Sequence, residues 1–585
     1  MNAKTLYPLI IIVILVFGIN FNTLFNDFVY DDNHEVLQNH WIRDIKYLPE
    51  IFSSNSWGFA GRDSNYYRPL NHVIRMINYH IFGFVPWGFH LVNVIFHAGV
   101  SVLVFLIAGR LFTRADKSFF TIPFVAAALF AAHPIHTEQV AWVSSIAGLS
   151  LAFFYLLSLY FYITATSEGH TSKVGYVLSV VSFFLALLSK EQALTLPVVI
   201  MIYDYLFRYA PQRKADYAKR YLPYLLVAGI YFILRMLALK GFVPVISHSS
   251  LTVYQYAINV FPFFVKYLGK LVLPVHLNAY YVFHPVLSIF EPEAIISLAV
   301  TTVFIAMMYR AFKKNRTLFF SFSLIVIPLL PALYIPAFGV NAFSERYLYL
   351  PSFGFVLLVS SIFAWARSKS KRWAIAVTTG FFLVLVVYSV GVVSRNTVWK
   401  NDYSLWQDTV RKSPDGYVPH NSFGKASHQR GLIDDAIEHF NTALKLYPRH
   451  AEAHNNLGVI YGGKGLTDKA MEHFQIAIQL NPDYADAHNN IGIAYGSRGW
   501  FSKAREHFQA AIHIRPGFDD FHHNMAVTCM NLGLIDEAIA YFQNALKLNP
   551  NAVNTHLGIA KAYEIKGMTS QAETHRQEAT KLGKR

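Results

Sequence analysis

The sequence predicts an all-α protein in two parts. A polytopic helical membrane domain takes residues 1–395, a helical solenoid takes 417–585, and a linker with a half-repeat at 396–416 joins them. Three observations carry this. Apolar runs of about 17–25 residues, long enough to cross a bilayer, recur up to residue 393. A strict 34-residue period then takes over. Finally, 54% hydrophobic residues with only 15% charged is too apolar for a soluble chain of 585 residues.

In chain order the spans fall near 6–25, 87–109, 118–134, 140–164, 174–189, 192–208, 221–239, 290–309, 317–337, 347–366 and 373–393, about eleven in all. The first has a long apolar run with no small-x-small site after it, so it reads as an uncleaved span and not a signal peptide. The stretch VYQYAINVFPFFVKYLGKLVLPV, 253–275, holds two lysines and two prolines, and loop charge decides its status. Left out of the count, it puts RLFTRADK, RYAPQRKADYAKR, RAFKKNR and RSKSKR all inside with the N-terminus, as the positive-inside rule favours. Counted as a span, it moves the last two clusters outside. It is therefore read as re-entrant or interfacial, with the C-terminal part outside the cytoplasm. The net charge of +15 fits this loop bias better than nucleic-acid binding. The single cysteine, Cys529, excludes an intrachain disulfide and a cysteine metal site.

The solenoid is read from columns. Pro414, Pro448, Pro482, Pro516 and Pro550 stand 34 residues apart, and Gly431, Gly465, Gly499, Gly533 and Gly567 align on the same period. So do Ala436, Ala470, Ala504, Ala538 and Ala572, and Phe440, Phe474, Phe508 and Phe542. This is the tetratricopeptide pattern, a helix-turn-helix per repeat. Glycine opens the turn, alanine admits close helix approach, and the aromatic fills the layer between neighbours. Arg576 at the last aromatic position suits a solvated cap. NDYSLWQDTVRKSP, with Trp406 at the aromatic position, reads as the joining half-repeat.

Polar clusters interrupt the apolar half, and this topology puts them all at the external end. Asp31 and Asp32 follow the first span, and YYRPLNHVIRMINYHIFG, 66–83, shares their loop. HPIHTEQVAW, 133–142, SKEQ, 189–192, and SERYLYLPS, 344–352, occupy later external loops. Ionisable residues at membrane depth are costly and face protein cavities or the interface, so several at one end predict one shared site.

The order of span, Asp-Asp, YYRPL, HPIHTE, SKEQ, ERYLYLPS and repeats resembles the transmembrane-and-tetratricopeptide-repeat O-mannosyltransferases. More broadly it resembles the C-type membrane glycosyltransferases, over essentially the whole chain. The resemblance implies a polyprenyl-phosphate sugar as donor, and an essential acidic residue in the first external loop, which Asp31 and Asp32 match. One element departs: where that family often carries Arg-x-Asp after the HPxHTE motif, WVSSIAGLS places Ile146 and Gly148.

The chemistry of these residues agrees with that role. A carboxylate can take the proton of an acceptor hydroxyl, and burial beside a second carboxylate raises its basicity. The leaving lipid phosphate needs cations, for which Arg68 and Arg346 are the candidates with Lys190 behind them. Tyr67, His133, His136, Glu138, Glu191 and Glu345 are expected to line the cavity. A single carboxylate pair suits direct inverting displacement. Competing readings stand beside these: a solvated turn or cap at Asp31-Asp32, Arg68 snorkelling to headgroups, and a Glu345–Arg346 ion pair. His90, Asn93 and His97, on one face of the second span, line the cavity or bond between helices. His133, His136 and Glu138 are ligand-type residues, but the proline between the histidines breaks a ligand face. No metal and no cofactor is expected beyond the lipid-linked sugar as co-substrate.

In the solenoid, His420, His454, His488, His522 and His556 form a column. Repeats stack roughly 10 Å apart, too far for two imidazoles to share an ion, so these read as core histidines. Asn456, Asn490 and Asn524, beside Asn455 and Asn489, resemble the asparagine ladder of superhelices that hold extended polypeptide. The leading reading is a membrane glycosyltransferase that moves mannose or another hexose from a polyprenyl-phosphate carrier to Ser/Thr hydroxyls of an exported protein gathered by the repeats. Its rivals are a non-catalytic membrane-anchored scaffold and a transferase acting on glycan or lipid. Membrane lipid, the lipid-linked sugar and an extended peptide are the expected partners, with no nucleic acid. The sequon at Asn315 falls on the cytoplasmic side in this topology. That fits a bacterial inner membrane with periplasmic repeats, or the endoplasmic reticulum membrane in a eukaryote.

Overall fold

The computed structural model describes residues 3–61, 64–112, 121–166, 172–208, 214–241, 251–334 and 343–583. No strand occurs among them, and the chain divides into two units, the second beginning at Pro414. Two basic clusters used for topology, 110–117 and 208–220, lie partly outside the described residues. So do the start of the 118–134 span and the end of the 317–337 span.

Each of the eleven expected spans is helical, but they are not alike in length. Seven helices are long and apolar enough to cross a bilayer: Leu6–Phe25, Pro86–Leu111, Val143–Thr166, Lys219–Leu239, Pro292–Lys314, Arg316–Leu333 and Lys371–Val398. The chain is therefore a membrane protein. Ile122–Ala132, Lys173–Ser189 and Pro351–Arg367 are apolar but shorter, and Leu196–Phe207 has only 12 residues. At 1.5 Å per residue these fall short of a hydrocarbon core about 30 Å thick. Polar loops at HPIHTE and SKEQ stop two of them early. The stretch at 253–275 folds as Val253–Val272, capped by Thr252 and Gln255, and is not among the crossing helices. It buries Ile258, Phe263, Phe264, Tyr267 and Leu271 while Val253, Tyr254 and Lys266 are exposed, an amphipathic pattern.

The core of this unit is aliphatic and aromatic, shared by the first span, Pro86–Leu111, Ile122–Ala132, Ile146–Thr166 and Pro351–Arg367. Gly354 shows how close the helices come: a Cβ there would stand 2.4 Å from the Ser321 carbonyl oxygen. The expected half-repeat, Asp402–Lys412, belongs to this unit and not to the solenoid. Its Asp408 pairs with Arg395 of the last span at 2.6 Å, and Lys412 reaches the Leu277 carbonyl, after Val253–Val272, at 2.8 Å.

The second unit is five helix pairs, from Tyr417–Gln429 with Ile433–Leu446 to Val553–Ile565 with Thr569–Gly583. The five turn glycines all have φ between 74° and 76°, a region closed to most side chains. The aromatic column is packed hard: a Cβ on Gly458 would meet the Phe474 ring at 2.5 Å.

Candidate functional site

The loop after the first span holds two adjacent carboxylates in different states. Asp32 is fully buried and pins its loop: its Oδ2 accepts from the Val29 N–H at 3.1 Å, and its Oδ1 from the Ser144 N–H at 2.6 Å. Asp31 is half-buried, and among the described residues its carboxylate makes no hydrogen bond or ion pair. Burial and then the nearby Glu35 push it up to about 7, against the pull of Arg346. Burial also brings Asp32 to about 7, offset by its bonds to Ser144 and Val29.

Tyr30 fixes where Asp31 stands. It has φ 57°, a strained value for a bulky residue, and its N–H donates to Asp402 Oδ1 at 2.7 Å. Its ring stacks on Trp142 at 5.3 Å and meets Trp406 edge-on at 5.1 Å. The Arg346 guanidinium leans on the same Trp142 at 5.5 Å and on Tyr347 at 5.6 Å, and Lys190 lies over Tyr347 at 4.6 Å. A relay of rings thus runs from Tyr30, the chain neighbour of Asp31, to the cations.

Both expected phosphate-binding arginines are already engaged. Arg68 is bidentate to Glu191, at 2.7 and 3.2 Å, and lies over Tyr66, so it is held in protein and does not snorkel. Burial would raise Glu191, but Arg68 outweighs it and brings that carboxyl down to about 2. Arg346 donates to Glu138 Oε1 at 2.7 Å, and Glu138 Oε2 also accepts the Arg346 backbone N–H. The Glu345–Arg346 pair is therefore corrected. Glu345 points elsewhere, accepting from the Asn278 N–H at 2.6 Å and from the Tyr281 hydroxyl. Burial lifts it to about 7, against Arg395. A short turn sends neighbouring side chains apart, so adjacency in sequence did not become contact. Lys190 is the reverse case: it is 6% exposed, yet its ammonium has no carboxylate partner or hydrogen bond among the described residues. Burial first, then Arg68, bring it down to about 7.

Of the expected lining residues, Tyr67 is buried and donates to the Phe52 carbonyl at 2.9 Å. His133 contacts the Leu271 carbonyl at 3.0 Å and accepts from the Ile135 N–H, while His136 meets Ser352 Oγ at 2.8 Å. Asn93 donates to the Trp142 carbonyl at 2.9 Å, and His97 bonds Tyr349 at 2.7 Å and the Ala131 carbonyl at 3.1 Å, so those two tie helices together. The sequence reading missed the buried Glu35–Arg75 pair beside Asp31, though Glu35 one helical turn on was a visible signal.

In the solenoid the asparagines form a ladder between repeats. Asn456 donates to Asn421 at 3.1 Å, Asn490 to Asn455 at 2.9 Å and Asn524 to Asn489 at 2.9 Å. The histidine column is paired within four of the five repeats, which was missed: His420, His454, His488 and His556 meet His439, His473, His507 and His575 at 2.9–3.1 Å, Nδ1 to Nδ1. That second column stands 19 residues after the first on the same period.

Family models for the tetratricopeptide repeat match residues 424–465, 451–484, 485–518 and 520–552. Across both units, a protein O-mannosyl-transferase of Caenorhabditis elegans is 28% identical over 434 residues, 73% of this chain and 61% of its own length. The TMTC3 protein O-mannosyl-transferase of Mus musculus is 27% identical over 75% of this chain and 51% of its own. The TMTC4 protein O-mannosyl-transferase of Homo sapiens is 27% identical over 71% and 63%. The chain is related to the transmembrane-and-tetratricopeptide-repeat O-mannosyltransferases. It spans between about half and two thirds of the length of these relatives. Among solved structures, crystal structures of MamA (24% identity, TM-score 0.26, 28% of this chain and 94% of that one) and YrrB (17%, 0.27, 30% and 91%) are similar to part of it.

The stretch that departs from the family pattern has a structural use here. A Cβ on Gly148 would stand 2.3 Å from the Gln139 amide, so glycine makes the room that Gln139 fills. Gln139 in turn donates to the Arg346 carbonyl at 2.9 Å and accepts from Ser145. Ile146 is buried in the core.

Proposed function

We propose that this chain is a membrane O-mannosyltransferase whose donor is a polyprenyl-phosphate hexose and whose acceptor is a Ser/Thr hydroxyl on a protein held by the repeats. The observation that carries this is Asp31, a half-buried carboxylate near pKa 7 with no side-chain hydrogen bond or ion pair among the described residues, within the field of the Arg346 guanidinium. Asp31 takes the proton of the acceptor hydroxyl as its oxygen bonds to the anomeric carbon. The bond from that carbon to the phosphate oxygen breaks, and the polyprenyl phosphate leaves with the electron pair. Lys190 offsets the developing charge directly. Arg346 and Arg68, fixed by Glu138 and Glu191, supply oriented N–H donors around it. Asp32 holds the loop. The early aspartates and the repeats are on the non-cytosolic side in this reading, and the compartment follows from the source membrane.

The test is transfer from labelled polyprenyl-phosphate mannose to serine- and threonine-rich peptides by the full chain. Asp31→Asn should lower transfer by about 10²–10⁴-fold, the range of a positioned base. The fold should not weaken, because the substitution removes a charge that burial disfavours. Full transfer by Asp31→Asn would overturn the assignment.

A further inference from the structure

The first helices of the repeats present three aligned stripes. At their ninth position stand Lys425, Val459, Ile493, Val527 and Lys561, all exposed. The three aliphatic members are 37%, 48% and 39% exposed, consecutive, and bracketed by the two lysines. One turn earlier on each helix lie Asn456, Asn490 and Asn524. Each spends one amide hydrogen on its neighbour and keeps the other, and each amide oxygen keeps a lone pair although Asn490 Oδ1 also accepts from Asn489. Another turn earlier stand Glu452, Asp486 and Asp520, of which Asp486 is paired with Arg515. Past the aliphatic stripe, Gly462, Gly463 and Gly496 end the second and third first helices. Nothing lies within 4 Å of a Cβ on Gly463 or Gly496, and only Ala470, at 3.8 Å, for Gly462. Glycine in a helix is unfavourable, and no packing inside the array requires it there.

We propose that this face of repeats two to four binds an extended polypeptide carrying aliphatic side chains at every third residue and basic side chains next to them. This rests on the reading that the repeats hold the acceptor, and it specifies that acceptor's chemistry. The free amides select an unpaired backbone, since a helix satisfies its own peptide groups. Neighbouring packed helices lie about 8–10 Å apart. A polyproline-II segment rises about 3.1 Å per residue with three residues per turn, so residues i and i+3 share a face about 9.3 Å apart. A β-strand repeats a face at about 6.7 Å and falls out of step. The acidic stripe complements basic residues and rejects acidic ones, while the glycines leave the peptide backbone room to approach.

The test uses the full chain in micelles and three labelled peptides: valine at every third position with serine and lysine between, the same composition with valine at every second position, and the first peptide with aspartate for lysine. The first should bind about tenfold or more tighter than the others. Val459→Ser with Ile493→Ser and Val527→Ser should cost about tenfold or more, as expected for aliphatic burial, at unchanged melting temperature. Gly462→Ala with Gly463→Ala should raise the melting temperature yet weaken binding. Equal binding of the peptides, or undiminished affinity in either variant, overturns the proposal. No donor is present in this assay, and Asp31→Asn should bind normally. A failed groove and a failed transferase are thus told apart.

Discussion

The two units use the same polar side chains under opposite rules. In the membrane unit the pairs around the site are single, each joining residues far apart in sequence: Arg346 with Glu138, Arg68 with Glu191, Asp32 with Ser144. In the solenoid many contacts recur at the repeat period. Lys464–Asp434, Arg498–Asp468 and Lys566–Asp536 are one surface pair in three copies, and the asparagine and histidine contacts recur alike. A low-dielectric interior concentrates electrostatic energy in single pairs, whereas water screens the copies and spreads it. One substitution should therefore matter in the first unit and scarcely register in the second.

The largest expected contrast tests that directly. Arg346→Met strands Glu138, whose side chain is 2% exposed, and breaking a buried pair in this way costs about 3–5 kcal/mol. Arg498→Met removes a pair at a similar distance, 2.6 Å, but on the surface, where the cost is under about 1 kcal/mol. Hydrogen exchange, read from peptides of each unit separately, measures both in one protein. Adding Glu138→Gln to Arg346→Met should recover part of the loss. Equal costs for the two arginines would break the comparison.

Next in size is the pH dependence of transfer. Asp31, at about 7, gains its basic form as pH rises through that value, and Lys190, also at about 7, loses its charge over the same window. The product of the two is a narrow bell centred near neutrality. Lys190→Arg keeps its charge at any working pH, so the alkaline limb should move outward while the acid limb stays. An alkaline limb that stays put would remove Lys190 from the site.

How much could be read in advance follows the same division. The solenoid was legible down to its turn glycines, because a period turns one observation into five. The second histidine column, at His439, His473, His507 and His575, is equally visible, but only the 19-residue offset within a repeat brings it against the first. In the membrane unit the loops that carry polar residues were legible, since charge beside apolar runs stands out. Their pairing was not. Glu138 and Glu345 are equally good carboxylates on paper, and only the turn at 345–348 decides that Arg346 takes the first. The uneven helix lengths were hidden for a related reason: an apolar run bounded by prolines and polar loops shows where a helix lies, not how far it reaches.

The smallest effect tests whether the recurring histidines carry anything jointly. Burial, and then the facing imidazole, hold His439, His473, His507 and His575 below their usual range. Glu438 and Asp435 oppose this at His439, as do Glu472 and Glu506 at His473 and His507. A folded-state pKa below the unfolded 6.5 means that unfolding takes up protons in acid. The contribution is complete above pH 6.5 and is lost as pH falls below it. The fourth repeat already shows the alternative, with Tyr541 facing His522. Copying it as His439→Tyr, His473→Tyr, His507→Tyr and His575→Tyr should shrink the acid-induced drop in solenoid protection between pH 7.5 and 5.5, leaving protection at pH 7.5 nearly as before. Each pair adds little, so the four must be changed together. An undiminished acid loss in the fourfold variant would place the acid sensitivity on other groups and leave these columns as packing alone.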